Sequence, residues 1–136
     1  MSDHATRMQA LAARLVGWLE TGDLPPGLFS DDVFCDFTPP QWRLQARGLP
    51  DMLALRRRGH PAPGHVPRWH AEPTPSGFVM EVEERWTDAQ GDWYCREAML
   101  AEVRGDAIAR LSVYCTGDWN AERQAAHRAQ VALLEP

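Results

Sequence analysis

The segment GFVMEVEERWT, residues 77–87, alternates apolar and polar side chains along most of its length. One phase of the alternation carries Phe78, Met80, Val82 and Trp86, and the other phase is mainly acidic or basic. A period of two residues is that of a β-strand, in which successive side chains point to opposite faces. The segment therefore predicts a long strand whose sheet has one apolar face and one wet or partner-facing face.

Similar strand-like segments precede and follow this one in the sequence. Strands are predicted over 66–74, 93–104 and 107–116, because Gly, Pro, Asp and Ser cluster in the short turns between them. Turns this short join antiparallel neighbours, so the four strands predict a meander. A helix is predicted over 119–130, and residues 131–134 are expected to add a last strand or to pack as a tail.

The N-terminal half is predicted to be mainly helical. Apolar residues recur at steps of three and four over 4–21, which indicates an amphipathic helix. A short strand is predicted at 33–37 and a second helix between Gly48 and Gly59. The Pro/Gly-rich stretch 59–67 is predicted to be a loop, since it continues neither a helix nor a ladder.

This order of elements predicts an α+β cone, in which a curved mixed or antiparallel sheet wraps around the N-terminal helices. We expect residues 1–136 to form a single domain. At this length folding hides roughly 68–70% of the unfolded chain's surface, which allows both a core and an internal pocket.

Composition excludes several classes of function. The fourteen basic residues are all arginine, against nineteen acidic ones, for a formal net charge of −5. The absence of lysine excludes Schiff-base and phosphate-loop lysine chemistry, and the acidic balance argues against nucleic acid as a partner. No apolar stretch reaches the roughly 20 residues that cross a bilayer, and the N-terminus lacks a signal pattern. We therefore expect no membrane partner and a cytoplasmic location.

Two further groups of residues are interpreted as structural. The basic run Arg56-Arg57-Arg58 is typical of a solvated helix end, with docking to a larger enzyme as the alternative. Cysteines 35, 95 and 115 are odd in number and far apart, so we expect reduced, buried thiols and neither a disulfide nor a zinc site.

Three short motifs together resemble the SnoaL-like branch of the nuclear transport factor 2 (NTF2)-like superfamily. They are Asp31-Asp32-Val33-Phe34 after the first helix, Gly48 before the second, and the closing strand 109–114 that ends near Asp118. The resemblance implies a cone-shaped fold, a pocket between sheet and helices, and frequent homodimers packed through the sheet. Members of the superfamily include ketosteroid isomerases, polyketide cyclases, epoxide hydrolases, dehydratases and pocket proteins without chemistry.

Acid–base chemistry is the reaction class that the sequence leaves open. Dinucleotide, nucleotide, zinc-protease, serine-hydrolase and CxxC motifs are absent. His60, His65 and His70 are five apart, which puts strand residues on opposite faces, so no metal site is expected. The sequence and the resemblance together predict a cofactor-independent cyclase, isomerase or dehydratase. Its ligand is expected to be a small, largely apolar oxygenated molecule of bacterial secondary metabolism. The alternative is a non-catalytic ligand-binding or dimerising module of the same fold.

Three residues are candidates for proton transfer, because an apolar pocket moves the pKa of a carboxyl or imidazole group toward neutrality. Asp36 lies in an apolar strand, but the resemblance places the isomerase base at Phe37, so alternation would turn Asp36 to the opposite face. Asp118 follows the closing strand, and the resemblance implies an acid–base carboxylate on or near Thr116, two residues earlier and on the same strand face. His70 lies mid-strand beside Trp69. The alternatives are a turn-capping Asp36, a helix-capping Asp118 and an exposed or structural His70.

Six residues are predicted to contact the ligand: Trp42, Arg43, Glu84, Trp86, Arg96 and Tyr114. Arg43 would offer a planar fork to a ligand oxygen, and Arg96 and Tyr114 would polarise a carbonyl. Glu84 falls on the apolar phase of its strand, where an unpaired carboxylate costs several kcal/mol. A Glu84–Arg96 pair is therefore predicted, either structural or substrate-orienting. The remaining charges of these two strands, Glu97 among them, are interpreted as cross-strand pairs.

Overall fold

A computed structural model describes residues 2–60 and 63–136 of the chain; Met1 and residues 61 and 62 of the predicted 59–67 loop lie outside the described residues. Three helices are present: α1 (Asp3–Thr21), α2 (Leu49–Gly59) and α3 (Ala121–Gln130). The strands are β1 (Phe29–Thr38), β2 (Leu44–Arg47), β3 (Gly64–Thr74), β4 (Gly77–Asp88), β5 (Gly91–Arg104) and β6 (Ala107–Cys115).

The six strands form one mixed, open sheet in the order β2-β1-β6-β5-β4-β3. Strands β3 to β6 follow each other as the predicted antiparallel meander, and β1 runs parallel to β6. Strand β2 pairs antiparallel with β1 at the sheet edge. The predicted α+β architecture is thus confirmed, with the mixed sheet of the cone.

Three segments differ from the predictions. Strand β1 is longer than 33–37, and β2 was not predicted because only Ala46 of its four residues is buried. Strand β3 begins at Gly64, inside the predicted loop, where an added Cβ would lie 2.3 Å from the Arg85 carbonyl oxygen. Pro67 is tolerated because β3 is an edge strand with an irregular register there. Residues 131–134 form neither helix nor strand.

The sheet has two unlike sides. We call the inner face the side covered by α1 and α2, and the outer face the opposite side. Helix α1 packs on β3 and β4, and α2 packs on β1 and β2. The apolar phase of β4, with Phe78, Met80 and Val82, is buried against α1 residues such as Met8. No helix in the described part of the chain is long and apolar enough to span a membrane.

Candidate active site

A buried ion pair joins helix α2 to the inner face of the sheet. Arg56 donates from Nη1 to Glu84 Oε2 at 3.0 Å and from Nη2 to Glu84 Oε1 at 2.6 Å. Nη2 also donates to the Leu19 carbonyl oxygen at 3.0 Å, where helix α1 nears its end. Glu84 is only 4% exposed. The interpretation of Arg56 as part of a solvated helix end is therefore wrong, and the partner of Glu84 is Arg56 and not Arg96.

The helical phase of α2 explains why one arginine of the basic run is half-buried, with its side chain 18% exposed. Arg56 follows the buried Met52 by four residues, so both lie on the same side of the helix. Arg57 and Arg58 fall on other sides and are exposed. Burial of a single guanidinium supplies the charge that Glu84 needs on the apolar face.

Glu97 is a second buried carboxyl group beside this pair. It lies on β5 opposite Val82 and is 5% exposed. The thiol of Cys95 donates to Glu97 Oε1 over 3.8 Å, and the side chains of Glu84 and Glu97 hydrogen-bond to each other. The interpretation of Glu97 as a cross-strand charge partner is wrong, because Glu97 shares the phase of the buried Cys95 and Met99. That phase was the available signal for its burial.

The two carboxyl groups have opposite pKa shifts. Burial, together with the hydrogen bond to Glu84 and the charge of Glu84, raises the pKa of Glu97 well above its ordinary value. Burial alone would raise the pKa of Glu84 as well, but hydrogen bonds from Glu97 and Arg56 lower it to about 2. These shifts favour the protonated form of Glu97 beside the ionised form of Glu84. One guanidinium neutralises one of two adjacent acids, and the second acid stays neutral.

A small cavity of about 60 Å³ opens beside Glu97. Since one water takes about 30 Å³ in the liquid, the cavity has room for about two waters or a small functional group. Arg56, His60 and Glu97 are its charged or strongly polar lining, and Leu19 and Met52 are among its apolar walls. The other lining residues are Trp18, Cys35, Phe37, Leu55, Gly59, Met99, Leu111 and Val113.

His60 and Asp118 lie at one end of this buried cluster. Burial, and then the positive charge of Arg56, lower the pKa of His60 to about 4, and its ring packs 4.3 Å from that of Trp86. Burial, and then the charge of Glu84, raise the pKa of Asp118. Asp118 does not cap helix α3, because the cap is Asn120, whose side chain accepts from the Arg123 amide at 2.8 Å.

The three cysteines are free thiols. Cys35 and Cys95 are buried, and burial raises the pKa of Cys35 to about 11. Cys115 is half-buried, and its pKa is lowered by its interaction with the neighbouring Cys95 side chain and by the Gly117 amide, whose nitrogen is 3.3 Å from Sγ.

Among residues 2–60 and 63–136, two sets of side chains are close enough to share a metal ion. The donor atoms of His60, Cys95 and Asp118 lie within 4.8 Å of one another, and so do those of Cys95, Glu97 and Cys115. Each set would supply three ligands, as an open zinc site does. The guanidinium of Arg56 acts electrostatically on both Asp118 and Cys95, and this fixed positive charge disfavours a second cation. The absence of a metal stays a prediction.

The structure places Asp36 on the outer face, away from this cavity. Its strand neighbours Cys35 and Phe37 line the cavity, so alternation turns Asp36 to the other side of the sheet. There its carboxylate accepts from Arg43 Nε at 3.0 Å and from Nη2 at 2.8 Å. Arg43 thereby lowers the pKa of Asp36. A position for Asp36 and Arg43 inside the pocket is wrong, because β1 has no bulge at this point that would reverse its phase.

Three other predicted residues also meet on the outer face. His70, Arg96 and Tyr114 line a shallow groove of about 640 Å³. His70 Nε2 lies 2.7 Å from Glu72 Oε1, and Arg96 Nε lies 3.6 Å from Glu83 Oε1. These three side chains therefore come together, but on the opposite side of the sheet from Glu84 and Glu97.

The two predicted tryptophans lie in different parts of the molecule. Trp86 lies on the inner face, between the rings of His60 at 4.3 Å and Trp93 at 6.3 Å. Trp42 is 69% exposed beside Arg43 in the connection between β1 and β2. Of the predicted site residues, Glu84 and Trp86 are buried on the inner face with Glu97, and the exposed Asp118 lies at the edge of this cluster, near His60.

Comparison with solved structures identifies the fold. A proposed polyketide cyclase from Xanthomonas campestris pv. campestris superposes with a TM-score of 0.70, at 15% identity over 91% of this chain and 98% of that chain. An NTF2-like protein from Anabaena variabilis ATCC 29413 gives a TM-score of 0.65, at 15% identity over 87% and 96%. The chain has the NTF2-like fold.

Another similar structure carries a different activity in its name. An LEH-like epoxide hydrolase from M. tuberculosis superposes with a TM-score of 0.62, at 14% identity over 82% of this chain and 84% of that chain. No family model matches the chain. No curated protein matches it either. At these identities the NTF2-like resemblance is confirmed for the fold, and the chemistry has to be argued from the side chains inside the cone.

Proposed function

We propose that this NTF2-like chain is a cofactor-independent acid–base enzyme that acts on a small, largely apolar oxygenated metabolite. The observation that carries the proposal is Glu97, a buried carboxyl group that lines an apolar cavity. The adjacent cation, Arg56, is already held by Glu84 through two hydrogen bonds. A neutral carboxyl group in such a place can donate a proton at neutral pH, which an exposed glutamate cannot do.

In the proposed reaction Glu97 protonates an oxygen atom of the bound ligand, such as a carbonyl or epoxide oxygen. Loss of the proton leaves Glu97 anionic beside the anionic Glu84, whose carboxylate already holds the guanidinium of Arg56. Like charges this close disfavour the doubly ionised state, so Glu97 recovers a proton later in the cycle. Isomerisation, ring closure and epoxide opening all include such a protonation step, and an epoxide hydrolase is among the structural neighbours.

The charge and size of the site support a neutral, compact reacting group. Glu84 and Arg56 cancel each other, and Asp118 adds a negative charge, so an anionic ligand would be repelled. A second hollow of about 210 Å³ shares Trp18, Leu19, Arg56 and His60 with the cavity. It lies where α1 and α2 end, and it could take the body of a ligand whose oxygen reaches Glu97.

The proposal is tested by infrared spectroscopy of the buried acid and by a turnover screen. At neutral pH we expect the carbonyl stretch of a protonated carboxyl group in the wild type and its loss in Glu97→Gln. The matched control is Glu81→Gln, an exposed glutamate on the other face of the sheet, which should keep the band. Small neutral ketones and epoxides are then screened for conversion by gas chromatography. A wild type without the protonated band would overturn the assignment of Glu97.

A homodimer packed through the outer face is the second part of the proposal. Leu100 and Tyr114 are large outer-face side chains, 47% and 54% exposed, and Val79 adds to the same face. An apolar group of this kind on an open sheet commonly marks an interaction surface. We expect a dimer in sedimentation velocity, converted to monomer by Leu100→Glu. The exposed Leu133→Glu in the C-terminal tail is the control, and a monomeric wild type contradicts this part of the proposal.

A further inference from the structure

The buried acids have little contact with solvent, although the proposed reaction requires protons to enter and leave. Glu84 is 4% exposed and Glu97 is 5% exposed. Most of the cavity wall around Glu97 is apolar and cannot carry a proton. Arg56 keeps its proton at all accessible pH values, so it cannot serve as a carrier.

One exposed carboxylate reaches the polar end of this cluster. Asp118 is exposed and follows the end of β6, and a carboxylate oxygen lies within 4.8 Å of a ring nitrogen of His60 and of Cys95 Sγ. His60 in turn lines the same cavity as Glu97. The side chains of Asp118, His60 and Glu97 thus form a sequence from solvent to the buried acid.

We propose that Asp118 and His60 form the route by which Glu97 exchanges its proton with solvent. The inference rests on the proposed function, because it assumes that Glu97 carries a proton that must be replaced. In each transfer, one O–H or N–H bond breaks as the next one forms, so no other reactant is needed. In this route Asp118 and His60 act on the proton of Glu97, and the proton transfer to the ligand oxygen is assigned to Glu97 alone.

The distances suit a route that includes water. A gap of up to 4.8 Å between Asp118 and His60 is one that a single water bridges. The cavity between His60 and Glu97 has room for about two waters when no ligand is bound. Water in these two spaces would complete the route in the ligand-free state, when Glu97 has to recover its proton.

The acidities of the two carriers also suit the transfer. The pKa of Asp118 is raised by burial and by the charge of Glu84, whereas burial and Arg56 lower the pKa of His60 to about 4. These shifts reduce the difference between the pKa of Asp118 and the pKa of His60, whose ordinary values are 3.8 and 6.5. Proton transfer between groups of similar pKa needs little driving force in either direction.

Hydrogen–deuterium exchange of the Glu97 carboxyl band tests the route without a substrate. The protein is mixed rapidly with D₂O, and the isotope shift of the band is followed in time. We expect Asp118→Asn to slow the shift by about 10²-fold, the lower end of what a positioned proton-transfer group contributes. Asp118→Glu should keep fast exchange, and added formate should restore it in Asp118→Asn. The control is Asp106→Asn, which removes an exposed carboxylate in the β5–β6 turn.

The outcomes separate this inference from the proposed function. A band that is present, and that exchanges as fast in Asp118→Asn as in the wild type, overturns the route while leaving the acid in place. A band that is missing from the wild type overturns the assignment of Glu97 itself. A His60→Gln variant gives a second reading, since slow exchange in both single variants supports the route and fast exchange in both refutes it.

Discussion

Arg56→Met is expected to lower the free energy of unfolding at pH 7 by about 3–5 kcal/mol, the usual cost of removing one partner of a buried ion pair. The substitution leaves Glu84 ionised on the apolar face, with its side chain 5% exposed and without the guanidinium that donates to both of its oxygens. It also removes the donor to the Leu19 carbonyl oxygen. Urea unfolding followed by tryptophan fluorescence measures the loss.

Two further variants show whether the buried charge is the cause. Arg57→Met changes the neighbouring, exposed arginine and should leave the free energy of unfolding nearly unchanged. The double variant Arg56→Met/Glu84→Gln should recover most of the loss, because replacing a whole buried pair by neutral groups is often close to neutral. An Arg56→Met variant as stable as Arg57→Met would contradict the prediction.

The pH dependence of stability in these variants follows from the direction in which the pKa of Glu84 is shifted. The pKa of Glu84 is lowered from an ordinary 4.5 to about 2, so its ionised form is favoured in the folded state. The stability that this contributes is present above about pH 4.5 and is lost as the pH falls toward 2. The difference in stability between the wild type and Arg56→Met should therefore narrow over this range.

Strand alternation predicted part of the site correctly and assigned one partner wrongly. The phase of β4 correctly predicted that Glu84 lies on the apolar side and needs a partner. Which residue of β5 lies opposite depends on register, and the register pairs Glu83 with Arg96 and Glu84 with Cys95. A shift of one residue exchanges the two faces, and turn sequences alone did not fix it.

The surroundings of Asp36 show a second limit of the sequence patterns. The resemblance pointed to position 37, and alternation alone indicated that Asp36 would face away, as it does. Its partner Arg43 precedes β2, a strand too short and too polar to be predicted. Hydrophobic periodicity does not predict the short edge strand, because one buried residue in four defines no pattern.

The partner of Glu84 came from a different element, and helical phase held the signal for it. Arg56 continues the side of α2 that carries Met52, whereas Arg57 and Arg58 do not. The three arginines are consecutive and identical in type, so composition alone does not show which of them faces the sheet. The position of Asp118 next to His60 depends on how the segment after β6 meets the end of α2, and no local pattern encodes such a contact.

Glu97→Gln is expected to lower kcat by about 10²- to 10⁴-fold on any screened ketone or epoxide that the wild type converts, because it removes the proposed proton donor. The amide keeps the shape of the side chain and can still donate a hydrogen bond to Glu84, so the fold should persist. Glu81→Gln, on the exposed side of the sheet, should leave kcat unchanged. Full activity in Glu97→Gln would exclude Glu97 as the donor.

Stability measured on the same variant distinguishes a catalytic acid from a structural one. The pKa of Glu97 is raised above its ordinary 4.5 in the folded protein, so the folded state favours the protonated form. Its contribution to stability is complete below about pH 4.5 and is lost as the pH rises through the folded pKa. Thermal unfolding between acidic and alkaline pH should therefore show Glu97→Gln gaining stability relative to the wild type as the pH rises. Parallel profiles would mean that Glu97 is not a shifted acid. A variant that is inactive, yet relatively more stable at alkaline pH, is what a buried proton donor predicts, because a residue needed only for packing would lose stability along with activity.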